Sequence, residues 1–154
     1  MYKRQVFFSG IGAFPIVIAK KAAPRKVIGI EINPDACRYF WKNIKLNKLE
    51  NIQIVLGDVR EKSVTFYGTC NRVIMPLPES ATDYLEYAIR CLKNSGIIHL
   101  YCFSEVNGVN KQVKKISAVC KNFKKRCSIS AVKVLPYGPG VYKYRFDLVT
   151  KGSE

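Results

Sequence analysis

Long apolar runs, clustered metal ligands and acidic side chains are all scarce in this sequence of 154 residues. No segment reaches the roughly 18 consecutive apolar residues that a membrane-spanning helix needs. The apolar stretch 7–19 is interrupted by glycines and a proline, and it lacks the small-residue cleavage site of a signal peptide. We therefore expect a soluble, cytoplasmic protein that does not associate with membranes.

Metal ligands are present but badly placed for a metal site. The six cysteines are far apart, form no C-x-x-C pair and are accompanied by a single histidine, His99. Structural zinc sites need four ligands at short, regular spacings. We therefore expect no metal, and we expect the cysteines to be free thiols buried in the core.

Acidic residues are outnumbered by 26 Lys and Arg to 11 Asp and Glu, which gives a net charge of +15. Residues 106–146 contain no acidic side chain and ten basic ones. Such a field attracts polyanions and makes RNA the first candidate partner, whereas the alternative is a solvated basic face that only maintains solubility. The candidate RNA-binding residues lie on a predicted helix 109–120 and on the charged turn after it: Lys111, Lys114, Lys115, Lys121, Lys124, Lys125 and Arg126.

Strand-like and helical segments alternate along the chain, a pattern typical of a parallel sheet covered by helices. The predicted strands span residues 4–8, 26–30, 52–56, 72–75, 96–103, 130–135 and 141–149. The turn 136–140 is too short for a crossover, so the last two strands must pair antiparallel. The prediction is a single α/β domain over residues 1–154, with a seven-stranded, mostly parallel sheet that ends in an antiparallel hairpin.

Two of the predicted helices have clear boundaries. The helix that ends near residue 47 begins with Asn33, Pro34 and Asp35, which suit an N-cap and a first turn. Its apolar side should be formed by Cys37, Phe40, Trp41, Ile44 and Leu46. The helix 81–92 should be closed by the residues Asn94, Ser95 and Gly96.

Candidate ligand groups follow three of the predicted strands. In an open sheet of this kind, ligands bind beyond the carboxyl ends of the strands. Gly10 and Gly12 allow positive φ angles and a close approach of the backbone to a ligand. Glu31 is placed to accept hydrogen bonds from ribose hydroxyls, and Asp58 from an exocyclic amine. The alternative is that both are ordinary strand-end carboxylates in turns.

The glycine loop differs from a dinucleotide-binding loop. A dinucleotide site has a third glycine at the position that Pro15 occupies here. A carboxylate at Asp58 is also foreign to that pattern. A nucleoside ligand without a pyrophosphate fits better, and S-adenosylmethionine is the most common such cofactor.

Taken in order, four segments resemble the catalytic domain of the archaeal and eukaryotic tRNA guanine-37 N1-methyltransferases. They read SGIGAF at 9–14, IEINPDA at 30–36, LGDVRE at 56–61 and RVIMPLPESA at 72–81, and YGPGVY at 137–142 is similar to that family's last hairpin. The resemblance implies a Rossmann-like class I methyltransferase that binds S-adenosylmethionine and methylates N1 of the guanosine next to the anticodon of tRNA.

The resemblance also implies roles for individual residues. The cofactor would contact Phe8, Ser9, Gly10, Gly12, Phe14, Glu31, Ile32, Asp58 and Val59. The pocket for the flipped guanine would be lined by Pro76, Leu77 and Pro78, followed by Glu79, since a base must leave its stack before it reacts.

Three departures from the family pattern raise alternatives. Val6 stands where the family has an acid, and Pro76 stands where it has an asparagine. The family's general base is a glutamate upstream of the first strand, so we expect either a domain cut from a longer chain or a naturally short protein. Glu79 and Glu105 are the acids left that could replace this base. The alternatives are an inactive module that binds cofactor and RNA, and a wybutosine-type aminocarboxypropyl transferase.

Overall fold

The computed structural model describes residues 2–77 and 79–151 and contains one seven-stranded sheet. The strand order is β3-β2-β1-β4-β5-β7-β6, with parallel pairing from β3 to β5 and antiparallel pairing of β7 with both β5 and β6. The predicted fold is therefore observed. The strands are β1 Lys3–Phe7, β2 Lys26–Glu31, β3 Ile52–Leu56, β4 Cys70–Met75, β5 Leu92–Glu105, β6 Arg126–Gly138 and β7 Val141–Lys151.

Helices cover both faces of the sheet. Adjacent residues of a strand point to opposite faces, and accordingly Val6 packs in the cluster that contains Ala19 of the first helix, while Phe7 packs in the cluster that contains Leu85 and Ile116. The α-helices are α1 Ala13–Ala22, α2 Pro34–Leu46, α3 Val59–Lys62, α4 Leu85–Cys91 and α5 Val109–Asn122, and short 3₁₀ turns span Ser63–Phe66, Ala81–Tyr84 and Val106–Gly108.

The start of α2 confirms the sequence prediction. The Asn33 side chain accepts hydrogen bonds from the backbone N–H groups of Asp35 and Ala36, and Pro34 occupies the first turn. An asparagine N-cap satisfies N–H groups that have no partner inside the helix. This cap fixes where the helix begins, immediately beyond the carboxyl end of β2.

The predicted apolar side of α2 is wrong at two positions. Phe40 and Ile44 are buried, whereas Trp41 is 56% exposed and Leu46 is 78% exposed. Adjacent helix positions point about 100° apart, so Phe40 and Trp41 cannot both face the core. The space is taken by Phe40, whose ring lies where a Cβ on Gly12 or Gly29 would be.

The predicted end of the third long helix is also wrong. The segment 81–84 is a 3₁₀ turn, α4 ends at Cys91, and β5 begins at Leu92 rather than at Gly96. Residues 94–96 therefore belong to a strand instead of a helix cap. The pairing partners decide this, because Gly96 is opposite Thr150, whose hydroxyl donates to the Gly96 carbonyl.

The cysteines are all free thiols, as predicted, but not all are buried. Cys37 and Cys127 are half-buried, in contrast to the other four. Within the described ranges there is no group of three or more His, Cys, Asp or Glu side chains that could hold a metal ion. The helices of the same ranges include none that is long and apolar enough to cross a membrane.

Candidate functional site

The carboxyl ends of β1 to β4 enclose a cavity of about 180 Å³. Five of the residues predicted from the sequence line it, together with three that were not predicted. The predicted ones are Phe8, Ile32, Asp58, Val59 and Leu77, and the others are Ile30, Gly57 and Tyr84. Its volume is below the roughly 300–1,000 Å³ of pockets that enclose a whole small-molecule ligand. The cavity therefore fits one ring system, with the remainder of a larger ligand outside it.

The Glu31 carboxylate fixes the loop after β1 to the start of α2. One oxygen, Oε2, accepts from the Gly10 backbone N–H at 2.7 Å, and Oε1 accepts from the Asn33 N–H at 2.9 Å. A carboxylate has about four acceptor positions. Glu31 thus keeps acceptor capacity for hydroxyl groups of a ligand while it holds the loop in place.

The two glycines of the loop have different structural roles. Both have positive φ angles, 53° at Gly10 and 90° at Gly12, as predicted. A Cβ on Gly10 would meet no atom within 4 Å, whereas a Cβ on Gly12 would lie 2.0 Å from the Phe40 ring. Gly10 therefore borders open space, and Gly12 is required by packing against α2 rather than by an approach to a ligand.

Phe8 is held in an unfavourable backbone conformation at the edge of the cavity. Its φ angle of 53° is uncommon for a bulky residue. Its ring packs edge-on against Tyr84, with 4.9 Å between the ring centroids. Such strained residues cluster at ligand sites, where the surrounding structure maintains them.

The Asp58 carboxylate already has a partner in Arg60. It accepts from the Arg60 backbone N–H at 2.7 Å and from the guanidinium Nη2 at 2.6 Å. These hydrogen bonds, the side-chain ones first, hold the pKa of Asp58 below its ordinary value and raise the pKa of Arg60. Asp58 is therefore ionised at neutral pH, and a ligand amine would share this carboxylate with Arg60.

Arg60 and Tyr84 were missed by reasoning from the sequence. The Arg60 guanidinium lies 5.8 Å from the centroid of the Tyr84 ring, so the two residues connect Asp58 to the segment before α4. The spacing of Asp58 and Arg60, two residues apart after a strand, was the available signal for the ion pair. No local pattern places Tyr84 in the cavity, because it comes from a distant segment.

Other predicted site residues lie outside the cavity. The Ser9 hydroxyl is buried and donates to the Ile30 carbonyl, so it stabilises the loop from behind. Phe14 borders a different cavity beside Tyr101. Pro76 is half-buried next to Leu77, Glu79 is exposed in a turn, and Pro78 lies outside the described residues.

A larger cavity, of about 470 Å³, lies at the opposite ends of the strands. It is lined mainly by residues near the amino ends of β1, β4 and β5, including Tyr2, Asn71 and Ser95. Ligands of open parallel sheets bind at the carboxyl ends of the strands. The smaller cavity is the better candidate site, because the strained Phe8 and the carboxylate of Asp58 converge there.

A chain of polar side chains crosses the sheet face beside Phe14. Arg72 Nη1 lies 2.6 Å from Nε2 of His99, and His99 Nδ1 contacts Asp147. Since arginine can only donate, Nε2 must accept and Nδ1 must carry the proton. Burial lowers the pKa of His99 more than Asp147 raises it. Burial raises the pKa of Asp147, but the hydrogen bonds from Arg145 and His99 together outweigh it, so this pKa is below its ordinary value.

Helix α5 carries the predicted lysines on its outer side. Lys111, Lys114, Lys115 and Lys121 are exposed, while Ile116 and Cys120 are buried. Of the residues after the helix, Lys124 and Arg126 are exposed, and Lys125 donates to the Asn94 carbonyl. The segment predicted as a charged turn is shorter than expected, because Arg126 begins β6.

Comparison with known families matches residues 5–133 to the TRM5/TYW2 methyltransferase domain. The sequence is 37% identical over 142 residues to the tRNA (guanine(37)-N(1))-methyltransferase Trm5b of Pyrococcus abyssi. This match covers 91% of the chain and 41% of the relative. The sequence is also 34% identical to the tRNA(Phe) (4-demethylwyosine(37)-C(7)) aminocarboxypropyltransferase of Methanocaldococcus jannaschii, over 91% of the chain and 56% of that relative. The chain thus spans about half of the length of these curated relatives.

Comparison with solved structures gives the same family. The crystal structure of M. jannaschii TYW2 in complex with AdoMet superposes with a TM-score of 0.93 and 28% identity, covering 99% of the chain and 69% of that structure. The predictions of the fold and of the family from the sequence are confirmed. The cofactor in that structure is the one predicted from the glycine loop.

Proposed function

The chain belongs to the TRM5/TYW2 methyltransferase family, and from this premise we propose that it forms one S-adenosylmethionine-binding domain that methylates tRNA in the cytoplasm. The proposed target is N1 of the guanosine next to the anticodon. The observation that carries the proposal is the convergence of three strand ends on one cavity, through Phe8, Ile32 and Asp58.

The residues of the cavity suit the parts of S-adenosylmethionine. Its apolar walls, which include Ile30, Val59 and Tyr84, fit the flat adenine ring, and Ile32 is 62% exposed beside them. Glu31 would accept from the ribose hydroxyls through the acceptor positions that Gly10 and Asn33 leave free. The open side of Gly10 would then face the methionine part of the cofactor.

When bound, S-adenosylmethionine would supply an electrophilic methyl group for transfer to guanine N1. N1 of neutral guanine carries a proton, so the reaction needs a base within hydrogen-bond reach, worth typically 10²–10⁴-fold in rate. Pro76 and Leu77 would border the guanine, since Leu77 also lines the cofactor cavity. Glu79, exposed in a turn, is the described acid that follows this segment, and its carboxylate would accept the proton of the guanine N1.

The basic side of α5 is the proposed contact for tRNA. Lys111, Lys114 and Lys115 form one exposed row at i, i+3 and i+4, a spacing that puts them on one side of a helix. Lysines that contact the phosphates of a nucleic acid neutralise them and release counterions. Lys121, Lys124, Lys125 and Arg126 would extend this contact to the start of the hairpin.

The experiment is a pair of measurements on the same protein. Calorimetry should detect binding of S-adenosylmethionine to the chain alone, and mass spectrometry of digested tRNA should detect one added methyl group on a guanosine. Absence of cofactor binding at millimolar concentration would refute the proposal. Cofactor and tRNA binding without transfer would instead support the inactive module.

A second candidate function is transfer of the aminocarboxypropyl group of the same cofactor. The TM-score of 0.93 to a TYW2 structure favours it. The two reactions leave different products from the cofactor, S-adenosylhomocysteine after methyl transfer and methylthioadenosine after aminocarboxypropyl transfer. Chromatography of the cofactor products, with the mass gained by the tRNA, separates the two functions.

A further inference from the structure

Helix α2 exposes two aromatic rings, one on each flank of its solvent-facing side, because positions 39 and 41 point about 200° apart. Tyr39 is 49% exposed and Trp41 is 56% exposed, although buried aromatic area is a main source of core stability. Arg38, Lys42 and Lys45 are exposed around the two rings. These five residues are referred to below as the α2 surface.

Each cation of the α2 surface is close to a ring. Arg38 and Lys42 lie 5.5 and 5.3 Å from the centroid of the Tyr39 ring, and Lys45 lies 5.4 Å from that of Trp41. These distances are within the range of cation–π attraction. The contacts hold positive charge beside exposed ring faces along about two turns of helix.

The core does not require these side chains. Phe40 and Ile44 attach the opposite side of α2 to the sheet, so the α2 surface adds little to the burial of the helix. The sequence of α2 contains one acidic residue, Asp35, which pairs with Arg38 at 3.3 Å. The surface therefore has an excess of positive charge and suits a polyanion.

We propose that the α2 surface binds RNA that crosses the exposed side of the helix, with unpaired bases stacked on Tyr39 on one flank and on Trp41 on the other. Phosphates would lie next to Lys42 and Lys45, between the two rings. Proteins that bind single-stranded nucleic acid combine aromatic platforms with a basic track in this way. The inference rests on the proposed function, because tRNA supplies unpaired nucleotides around the target guanosine.

The α2 surface is connected to the cofactor loop. The Asn43 side chain donates to the Ile11 carbonyl at 2.9 Å, and α2 begins three residues after Glu31. RNA on this surface would pass close to the edge of the candidate site.

Trp41 is the only tryptophan of the chain, so its fluorescence reports on this surface directly. The probes are a mixed-sequence single-stranded RNA of twelve nucleotides and inorganic polyphosphate of equal charge. We expect saturable quenching by the RNA, weaker at higher salt, and little quenching by polyphosphate, which has no bases. Equal quenching by both probes, or equally tight binding of polyglutamate, would overturn the base-stacking inference.

Matched variants separate stacking from other contributions. Trp41→Phe keeps a ring and Trp41→Leu keeps an apolar side chain without one, and affinity is read from the anisotropy of labelled RNA. We expect the leucine variant to bind RNA at least about fivefold more weakly than the unchanged protein, which is the low end of the effect of one stacked base. The phenylalanine variant should lose less affinity. Equal affinity of the two variants would contradict the inference.

A separate measurement of cofactor binding distinguishes a failure of this inference from a failure of the proposed function. S-adenosylmethionine binding is measured by calorimetry without RNA, and it does not depend on Trp41 in either proposal. If the protein binds cofactor and modifies tRNA without a change in Trp41 emission, the inference fails and the function stands. If cofactor binding is absent while RNA quenches Trp41, the function fails and the α2 surface stands.

Discussion

The two halves of the sheet hold their polar groups in place by different physical means. The half formed by β1, β2 and β3 positions groups by backbone geometry, with positive φ angles at Phe8, Gly10 and Gly12 and a carboxylate that binds two N–H groups. The half formed by β4, β5, β7 and β6 lies next to a basic helix and carries a chain of polar side chains between strands. The first half depends on sub-ångström placement, whereas the second depends on charge.

The two halves should therefore differ in the substitutions that they tolerate. A packed loop cannot accept even one extra methyl group where its neighbour is a ring. An exposed row of lysines loses affinity gradually as its members are removed, because each contributes a similar, screened interaction. Substitutions in the first half should therefore have abrupt effects, and those in the α5 row should have graded ones.

The largest effect is expected from Gly12→Ala. The new Cβ would lie 2.0 Å from the Phe40 ring at a residue whose φ is 90°. Overpacking and left-handed strain together should lower the free energy of unfolding by about 2–4 kcal/mol, measured in urea. Gly10→Ala is the matched control, with open space at its Cβ, and should cost only about 1–2 kcal/mol. Equal losses would contradict the different roles of the two glycines.

The sequence allowed most of the fold to be predicted but only part of the site. Glu31, Asp58 and the Asn33 cap follow from local rules about strand ends and helix starts. Tyr84 and the exposure of Trp41 depend on contacts between distant segments, since Phe40 occupies the space that Gly12 and Gly29 leave. The start of β5 at Leu92 was missed for the same reason, because its pairing with β4 and β7 outweighs the helix-ending residues 94–96.

A smaller effect is expected from Glu31→Gln. The substitution removes the charge and replaces one acceptor oxygen by an NH₂ group, which would face an N–H donor of Gly10 or Asn33. Loss of charge-assisted hydrogen bonds, about 1.5–3 kcal/mol, should weaken S-adenosylmethionine binding roughly 10- to 100-fold by calorimetry. Glu50→Gln is the control at an exposed carboxylate and should bind normally. Unchanged affinity in Glu31→Gln would remove this residue from the cofactor site.

The polar chain of the second half predicts a dependence of stability on pH. Burial lowers the pKa of His99, the only histidine, and the positive charges of Arg72 and Arg145 lower it further. Asp147 acts in the opposite direction but does not outweigh them. The unfolded chain then binds the proton more readily, so stability is full above about pH 6.5 and falls as the pH decreases toward the folded pKa. Urea titrations between pH 7 and 5 should show this decrease, and His99→Gln should show much less of it. A decrease of the same size in the variant would assign it to other groups.

The smallest effect per residue is expected from the exposed lysines of α5, in the salt dependence of tRNA binding. The double variant Lys114→Gln, Lys115→Gln should lower the slope of log affinity for tRNA against log salt by about 1.4–1.8, since each phosphate contact contributes roughly 0.7–0.9. The control is Lys20→Gln, Lys21→Gln, two exposed lysines at the end of α1, which should leave the slope unchanged. If both double variants reduce the slope equally, the protein attracts RNA through its net charge of +15 alone, and α5 has no special part. If only the α5 variant reduces the slope, the exposed lysines of α5 form a defined RNA-binding surface, because general attraction does not distinguish one pair of exposed lysines from another.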